Sequence, residues 1–321
     1  MNNKKLFTIR SIAFALILTM VLPLAACGGD APEEVSSSEI ASSQQVSSVE
    51  EAKPEAIAPE VAKKIGDAKT INPEVVSWLS IPNTNIDYPI LQSTEDNFKY
   101  ESVDLNGKKT ALDPKKMDKD VAANLGGTKA LVGAIYYDAK AKVSLNKAEV
   151  SRNQIIYGHN WTNIVEPFRI GKQKDYDVMF AQLMSYTDET FAKTNPYIYI
   201  STGETTQVYK VFGLVYFNAF CSNYITPNPN DDQYAKLLAD AQARSIYKYN
   251  TEVTTADNII SLYTCERKYP KNLTQGDGFN IQRFAVMARL LREGETDKDP
   301  VTVTKNTGKI DPPWTMKTFS L

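Results

Sequence analysis

Apolar positions in this chain fall mainly in short, β-favouring runs separated by polar stretches. The runs are Ala134 to Tyr137, Gln154 to Tyr157, Tyr197 to Ser201, Gln207 to Phe217, Asn258 to Tyr263 and Phe284 to Leu291. Segments of this length, rich in branched and aromatic residues and bounded by turn formers, predict strands. Ser80 to Gln92 predicts two further short strands around a Pro-Asn turn. Helical spacing appears in Asp175 to Ser185 and in Asp232 to Arg244, where Tyr234, Leu237, Leu238 and Ala241 share one face. Asn72-Pro73-Glu74 ahead of Val75 to Leu79 predicts a capped helix start, with Asn72 as the cap and Pro73 at the first helical position. Many short strands with scattered helices predict a mainly β fold closed into a barrel, not an alternating βαβ arrangement.

The pattern changes at both ends. Lys4, Lys5 and Arg10 precede an apolar run, Ser11 to Leu24, which is 14 residues long. That is short for a bilayer span, which takes about 20 residues, and suits the apolar core of an export signal. Leu24-Ala25-Ala26-Cys27 then looks like a bacterial lipobox, which implies cleavage before Cys27 and lipid attachment to its sulfur. An uncleaved signal-anchor is the alternative, and both readings put the remainder outside the cytoplasmic membrane. Residues 27–62 form a Ser- and Glu-rich stretch with seven serines between Ser36 and Ser48, expected to be a disordered tether. The folded domain is expected over residues 63–293 and a polar tail over 294–321. Pro312, Pro313, Trp314 and Phe319 suggest that this tail docks on the domain.

The chain has 321 residues, 42% hydrophobic and 23% charged, which suits one or two globular domains. Loss of residues 1–26 removes three basic residues and no acidic one, moving the formal charge from −2 to −5. No segment is basic enough to predict nucleic-acid binding. Asn106 to Lys129 is polar and lysine-rich and reads as an inserted surface loop.

The candidate chemistry lies at strand ends. The run Ile259 to Tyr263 finishes on Thr264-Cys265, directly before charged and turn-forming residues. A thiol placed there is rigidly held yet reachable. The chain's one histidine, His159, follows a second such run and a glycine, in Tyr157-Gly158-His159-Asn160. A thiol and an imidazole are the two parts of a nucleophile–base pair. A free thiol is only a few per cent thiolate at neutral pH, so it needs a neighbouring base or positive charge. A third run begins at Gln282-Arg283, and the Arg283 guanidinium could donate to a developing oxyanion. Arg289, near that strand's other end, is expected in a structural ion pair.

These stretches, in this order, resemble the sortase family of cell-surface transpeptidases of Gram-positive bacteria. Tyr157-Gly158-His159-Asn160 is similar to the family's histidine motif, Leu262-Tyr263-Thr264-Cys265 to its Leu-x-Thr-Cys motif, and Arg283-Phe284-Ala285-Val286 to its arginine strand. Asn72 to Leu79 and Tyr88 to Gln92 also resemble sortases, and the N-terminal helix and the helix between Tyr224 and the cysteine strand look like class B. The resemblance covers roughly Val61 to Leu291. It implies an eight-stranded sortase-type β-barrel with an N-terminal helix. It also implies a two-step reaction in which Cys265 attacks a threonine carbonyl of a sorting motif, breaks a Thr–Gly type bond and carries the acyl group as a thioester. An amine of peptidoglycan or its precursor would then resolve it. By the same resemblance His159 moves the protons and Arg283 holds substrate and oxyanion. The partners implied are sorting-motif proteins, the acceptor amine, and the membrane through the lipid anchor. A lipobox in place of the usual uncleaved anchor departs from the family pattern, as does the length of the 106–129 insertion.

Asn160, Thr264 and Glu266 are further candidates for the substrate groove, and Glu266, Asp277 or Asn160 for orienting His159. Cys221 reads as a buried thiol. One histidine and no close cysteine pair give no zinc-ligand spacing, so no metal and no cofactor are expected. Two rivals stand beside the transpeptidase: an extracytoplasmic cysteine peptidase, and a non-catalytic lipoprotein using the barrel for binding. In papain-like hydrolases the cysteine precedes the histidine and opens a helix; here the order is reversed and Cys265 ends a strand.

Overall fold

The computed structural model describes residues 49–125, 129–143, 150–219, 224–268 and 282–308. Cys27 with the signal segment, most of the expected tether, Cys221, Asp277 and the tail aromatics lie outside them.

The described fold starts earlier than expected. Strand β1, Glu55–Ala56, pairs with Thr205 and Thr206 of a later strand, and the Ala52 amide donates to the Leu291 carbonyl at 2.8 Å. Residues 49–62, assigned to the tether for their polarity, thus join the fold through main-chain bonds that side-chain composition does not report. Helix α1, Pro59–Ile71, opens on its proline, and Asn72 closes it: the Asn72 amide donates to the Ala68 carbonyl. The expected helix at Asn72 is instead the turn into β2, Val75–Ser80, which buries alternate residues. The Asn72 carboxamide accepts from the Glu74 amide at 3.0 Å. An asparagine bonded two residues ahead has the sequence signature of a helix cap, and the β-branched Val75-Val76 pair decides for strand.

After the expected turn come β3, Asp87–Leu91, and a single helical turn α2, Lys99–Ser102. The 106–129 insertion is more than a surface loop. It carries α3, Lys119–Asn124, and its Leu112 and Leu125 form a small apolar cluster with Ala130, packed against Trp161. Strands β4, Ile135–Tyr137, and β5, Asn153–Tyr157, lie where the apolar runs place them. Asp175 to Ser185 is not an α-helix; it is a run of turns entering a 3-10 segment, Ala181–Thr187. Its Asp177 is tied down by Arg169, with contacts of 2.5 and 2.7 Å, which favours a turn over a regular helix.

A short α4, Glu189–Thr194, leads to β6, Tyr197–Ser201, and the long β7, Thr205–Asn218. Helix α5, Asp231–Arg244, is capped by Asn230 and Gln233 and buries the predicted Tyr234, Leu237, Leu238 and Ala241. Strands β8, Tyr247–Tyr249, β9, Ile259–Cys265, and β10, Gln282–Leu290, follow. Of the tail, β11, Val303–Lys305, docks on β8.

The sheet order β7-β10-β9-β5-β4-β3-β2-β6 closes through β6–β7 into the expected eight-stranded barrel. Two neighbour pairs are parallel, β3–β4 and β5–β9. The second places the site: parallel strands end on the same side, so the residues after Tyr157 and the end of β9 emerge together. Antiparallel β10 then sets Arg283 directly across from Cys265 in the register.

Candidate active site

His159, Thr264, Cys265 and Arg283 line one cavity of about 610 Å³, together with Glu101 and Tyr136. Cys265 is half-buried and forms no disulfide among the described residues. Three bonds lock the His159 turn to the Cys265 strand. The Gly158 amide donates to the Tyr263 carbonyl at 3.2 Å, the Thr264 hydroxyl to the Gly158 carbonyl at 2.9 Å, and the Asn160 carboxamide to the Cys265 carbonyl at 3.1 Å. Gly158 admits no side chain: a Cβ there would lie 2.4 Å from Ile135 and 2.7 Å from the Phe180 ring. The turn presenting the imidazole is pressed onto the barrel core at that point.

The His159 Nε2 lies 2.8 Å from the Glu101 carbonyl oxygen. A carbonyl only accepts, so Nε2 carries the hydrogen, and Nδ1 remains for proton exchange. Trp161 packs beside the ring at a centroid distance of 5.0 Å, its own nitrogen donating to the Leu131 carbonyl at 2.8 Å. The orienting group is therefore a main-chain oxygen. Neither Glu266 nor Asn160, the described candidates for that task, supplies it.

The groove candidates separate. Thr264 lines the cavity. Asn160 and Glu266, 2% and 1% exposed, stand behind its wall. Asn160 spends its carboxamide on Asn163 and the Cys265 carbonyl, a joint between two loops. Glu266 accepts from the Lys268 amide through Oε2, while Oε1 has no hydrogen-bond partner among the described residues. Burial pushes its carboxyl up to about 8, so it is largely protonated at neutral pH.

Sequence reasoning missed most of the opposite wall. Tyr136, Tyr157 and Tyr263 form a row of rings with centroids 5.4 and 6.1 Å apart, all bordering the cavity. Asp138, 5% exposed, accepts from the Tyr157 hydroxyl at 3.0 Å and from the Asn97 carboxamide at 3.1 Å. Burial, then the negative charges of Glu101 and of a Cys265 thiolate, keep Tyr136 protonated far above the usual tyrosine range. That wall is thus aromatic, and the Tyr136 and Tyr157 hydroxyls stay neutral donors. Of this wall, Tyr157 and Tyr263 stand in the motifs that the sequence marked and Tyr136 in a predicted strand, but none was read as a neighbour of the others.

No family model matches the chain. Among curated proteins, it is 30% identical to sortase B of Listeria monocytogenes over 216 residues, 66% of this chain and 72% of that one. It is 23% identical to sortase B of Staphylococcus aureus over 227 residues, 69% of this chain and 72% of that one. Among solved structures, the fold is similar to Clostridium perfringens sortase B, with a TM-score of 0.51 and 24% identity over 70% of this chain and 98% of that one. It is likewise similar to a substrate complex of S. aureus sortase B, with a TM-score of 0.52 and 21% identity over 73% and 87% of the two chains. The barrel and the extent of the sequence match agree, and the chain belongs to the sortase B family of cysteine transpeptidases.

Proposed function

We propose that the chain cleaves a Thr–Gly type bond in a sorting motif and transfers the acyl group to an amine of peptidoglycan or its precursor. The observation that carries this reading is that His159, just beyond β5, and Cys265, at the end of its parallel neighbour β9, line one cavity with Arg283, which pairs with Cys265. The Cys265 thiol gives its proton to His159, and its sulfur attacks the threonine carbonyl carbon. The tetrahedral intermediate collapses to a thioester as the C–N bond breaks, and protonated His159 gives the departing amine its proton. The incoming amine then attacks the thioester, His159 takes its proton, and the sulfur leaves. Arg283, paired with Cys265 in the register, donates to the oxyanion of both tetrahedral intermediates.

Incubation with candidate sorting peptides, with and without an amine acceptor, tests the reading. A thioester on Cys265 and an amine-dependent product are expected. Undiminished turnover in Cys265→Ala, or cleavage with no transfer to any amine, would overturn it.

The anchor belongs to the same proposal: cleavage before Cys27, a diacylglyceryl group on its sulfur, and the domain held at the outer face of the cell membrane. Among the described residues no helix is long and apolar enough to cross a membrane. Mass spectrometry of the mature N-terminus decides. A lipid-modified Cys27 at the start of the chain is expected, and an unmodified chain beginning at Met1 counts against it.

A further inference from the structure

The imidazole of His159 is held by a neutral main-chain oxygen, so its orientation is only as firm as the backbone carrying that oxygen. Glu101 belongs to α2, four residues long, and a single helical turn does not hold itself. Its fixation comes from a cluster that the cavity does not include. The Glu74 carboxylate accepts from the Lys99 ammonium at 2.8 Å on both oxygens and from the Tyr100 hydroxyl. The Asn72 carboxamide donates to that hydroxyl at 3.1 Å and to the Leu105 carbonyl at 3.2 Å. Tyr100 is 1% exposed, so its hydroxyl depends on these partners alone in place of water. The Ala134 amide adds a main-chain bond to the Tyr100 carbonyl at 2.9 Å.

The neighbouring backbone leaves this segment no slack. Gly133 has φ +63°, and a Cβ there would lie 2.6 Å from the Tyr100 oxygen and 3.0 Å from both the Glu101 oxygen and the His159 ring. Carbonyl, glycine and imidazole meet at one point, closed from the side of the protein by Tyr100.

We propose that Glu74 is a positioning residue for His159. It acts through Lys99 and Tyr100 on the Glu101 carbonyl, and so keeps the imidazole protonated at Nε2 with Nδ1 open to the cavity. The consequence for the reaction rests on the transpeptidase reading; the positioning itself does not.

The chain contains a single histidine, so a full-length protein labelled with ring-15N histidine gives one unambiguous pair of nitrogen signals. In the wild type, Nε2 is expected to carry the proton, and the ring N–H to exchange slowly with water. In Glu74→Ala, that exchange accelerates at least tenfold, and the kcat/KM for peptide transfer falls by about the same factor. Glu74→Gln keeps one acceptor and restores part of both. Lys63→Ala, which breaks an exposed ion pair with Asp67 on α1, changes neither. If Glu74→Ala does not fold, Tyr100→Phe carries the same measurement, since it deletes only the hydroxyl. Identical ring signals and exchange rates in the wild type and the folded variant would overturn the proposal, as would a wild-type ring protonated only at Nδ1. Absence of transfer activity with the expected ring signals would count against the transpeptidase reading and leave the positioning intact.

Discussion

Strand β10 carries an arginine near each end, and the two are treated in opposite ways. Arg283 borders the open cavity, half-buried, with one guanidinium nitrogen donating to the Gln282 carbonyl at 3.0 Å. Arg289 is 2% exposed and gripped from several sides: two bonds of 2.6 Å to Glu295, one to the Glu252 carbonyl and one to the Leu290 carbonyl. Next to it, Arg292 is paired with Asp257. The same residue type on the same strand borders an open cavity at one end and is spent on holding the barrel at the other. Burial, more than side-chain identity, separates the two.

The largest effect is expected at the open end. Arg283→Ala should lower turnover by about 10²–10³-fold, as removal of an oxyanion donor does, with the melting temperature almost unmoved. Arg283→Lys should recover little, because an ammonium lacks the guanidinium's fixed fork. A matching loss of stability would erase the contrast between the ends.

At the closed end the sign of the contrast reverses. Glu295→Ala leaves the Arg289 charge buried without its counter-ion and should cost about 3 kcal/mol in denaturant unfolding, with activity per folded molecule kept. Burial opposes ionisation of Glu295, but the bonds from Arg289 outweigh it and bring its carboxyl down to about 2. A depressed carboxylate stabilises above its unfolded value and loses that contribution as pH falls through the folded one. The wild type should therefore weaken between roughly pH 4.5 and 2, and Glu295→Ala less so.

Glu266 gives a smaller test beside the cavity. Its folded pKa is raised to about 8 from 4.5, so the folded state keeps a proton that the unfolded chain has lost. Stability should therefore decline as pH rises from 5 to 8. Local opening at the strand end limits the cost, so a drop of a few degrees in melting temperature is expected. Glu266→Gln should flatten that slope; an unchanged slope would exclude Glu266 as its source. The smallest effect is Thr264→Val, which removes the bond to the Gly158 carbonyl and should cost about 1 kcal/mol by thermal unfolding.

The strands and the barrel were legible because each run is short, rich in branched residues and bounded by turn formers. His159, Cys265 and Arg283 were legible because they stand at run ends, where alternation gives way to loop. The Asn72 turn was misread because a capping asparagine and a turn asparagine satisfy the same amide from the same side chain. Glu101 was invisible for a different reason: its contact with His159 uses a main-chain oxygen, which every residue has. The aromatic row escaped because Tyr136, Tyr157 and Tyr263 stand on three strands, and only the sheet order makes them neighbours.

The parallel pairing of β5 with β9 also sets a timetable. Asn160 and the Cys265 carbonyl that it bonds are 105 residues apart in the chain. Until that second strand has been made and delivered, the imidazole turn lacks the wall it is stitched to, and Arg283 comes later still. Assembly of the three groups is therefore among the last events of folding, slowed by the closure of so long a loop. A chain emerging from its N-terminus carries an unpartnered strand end until almost the whole barrel is in place, so Cys265 meets His159 and Arg283 only in a finished molecule.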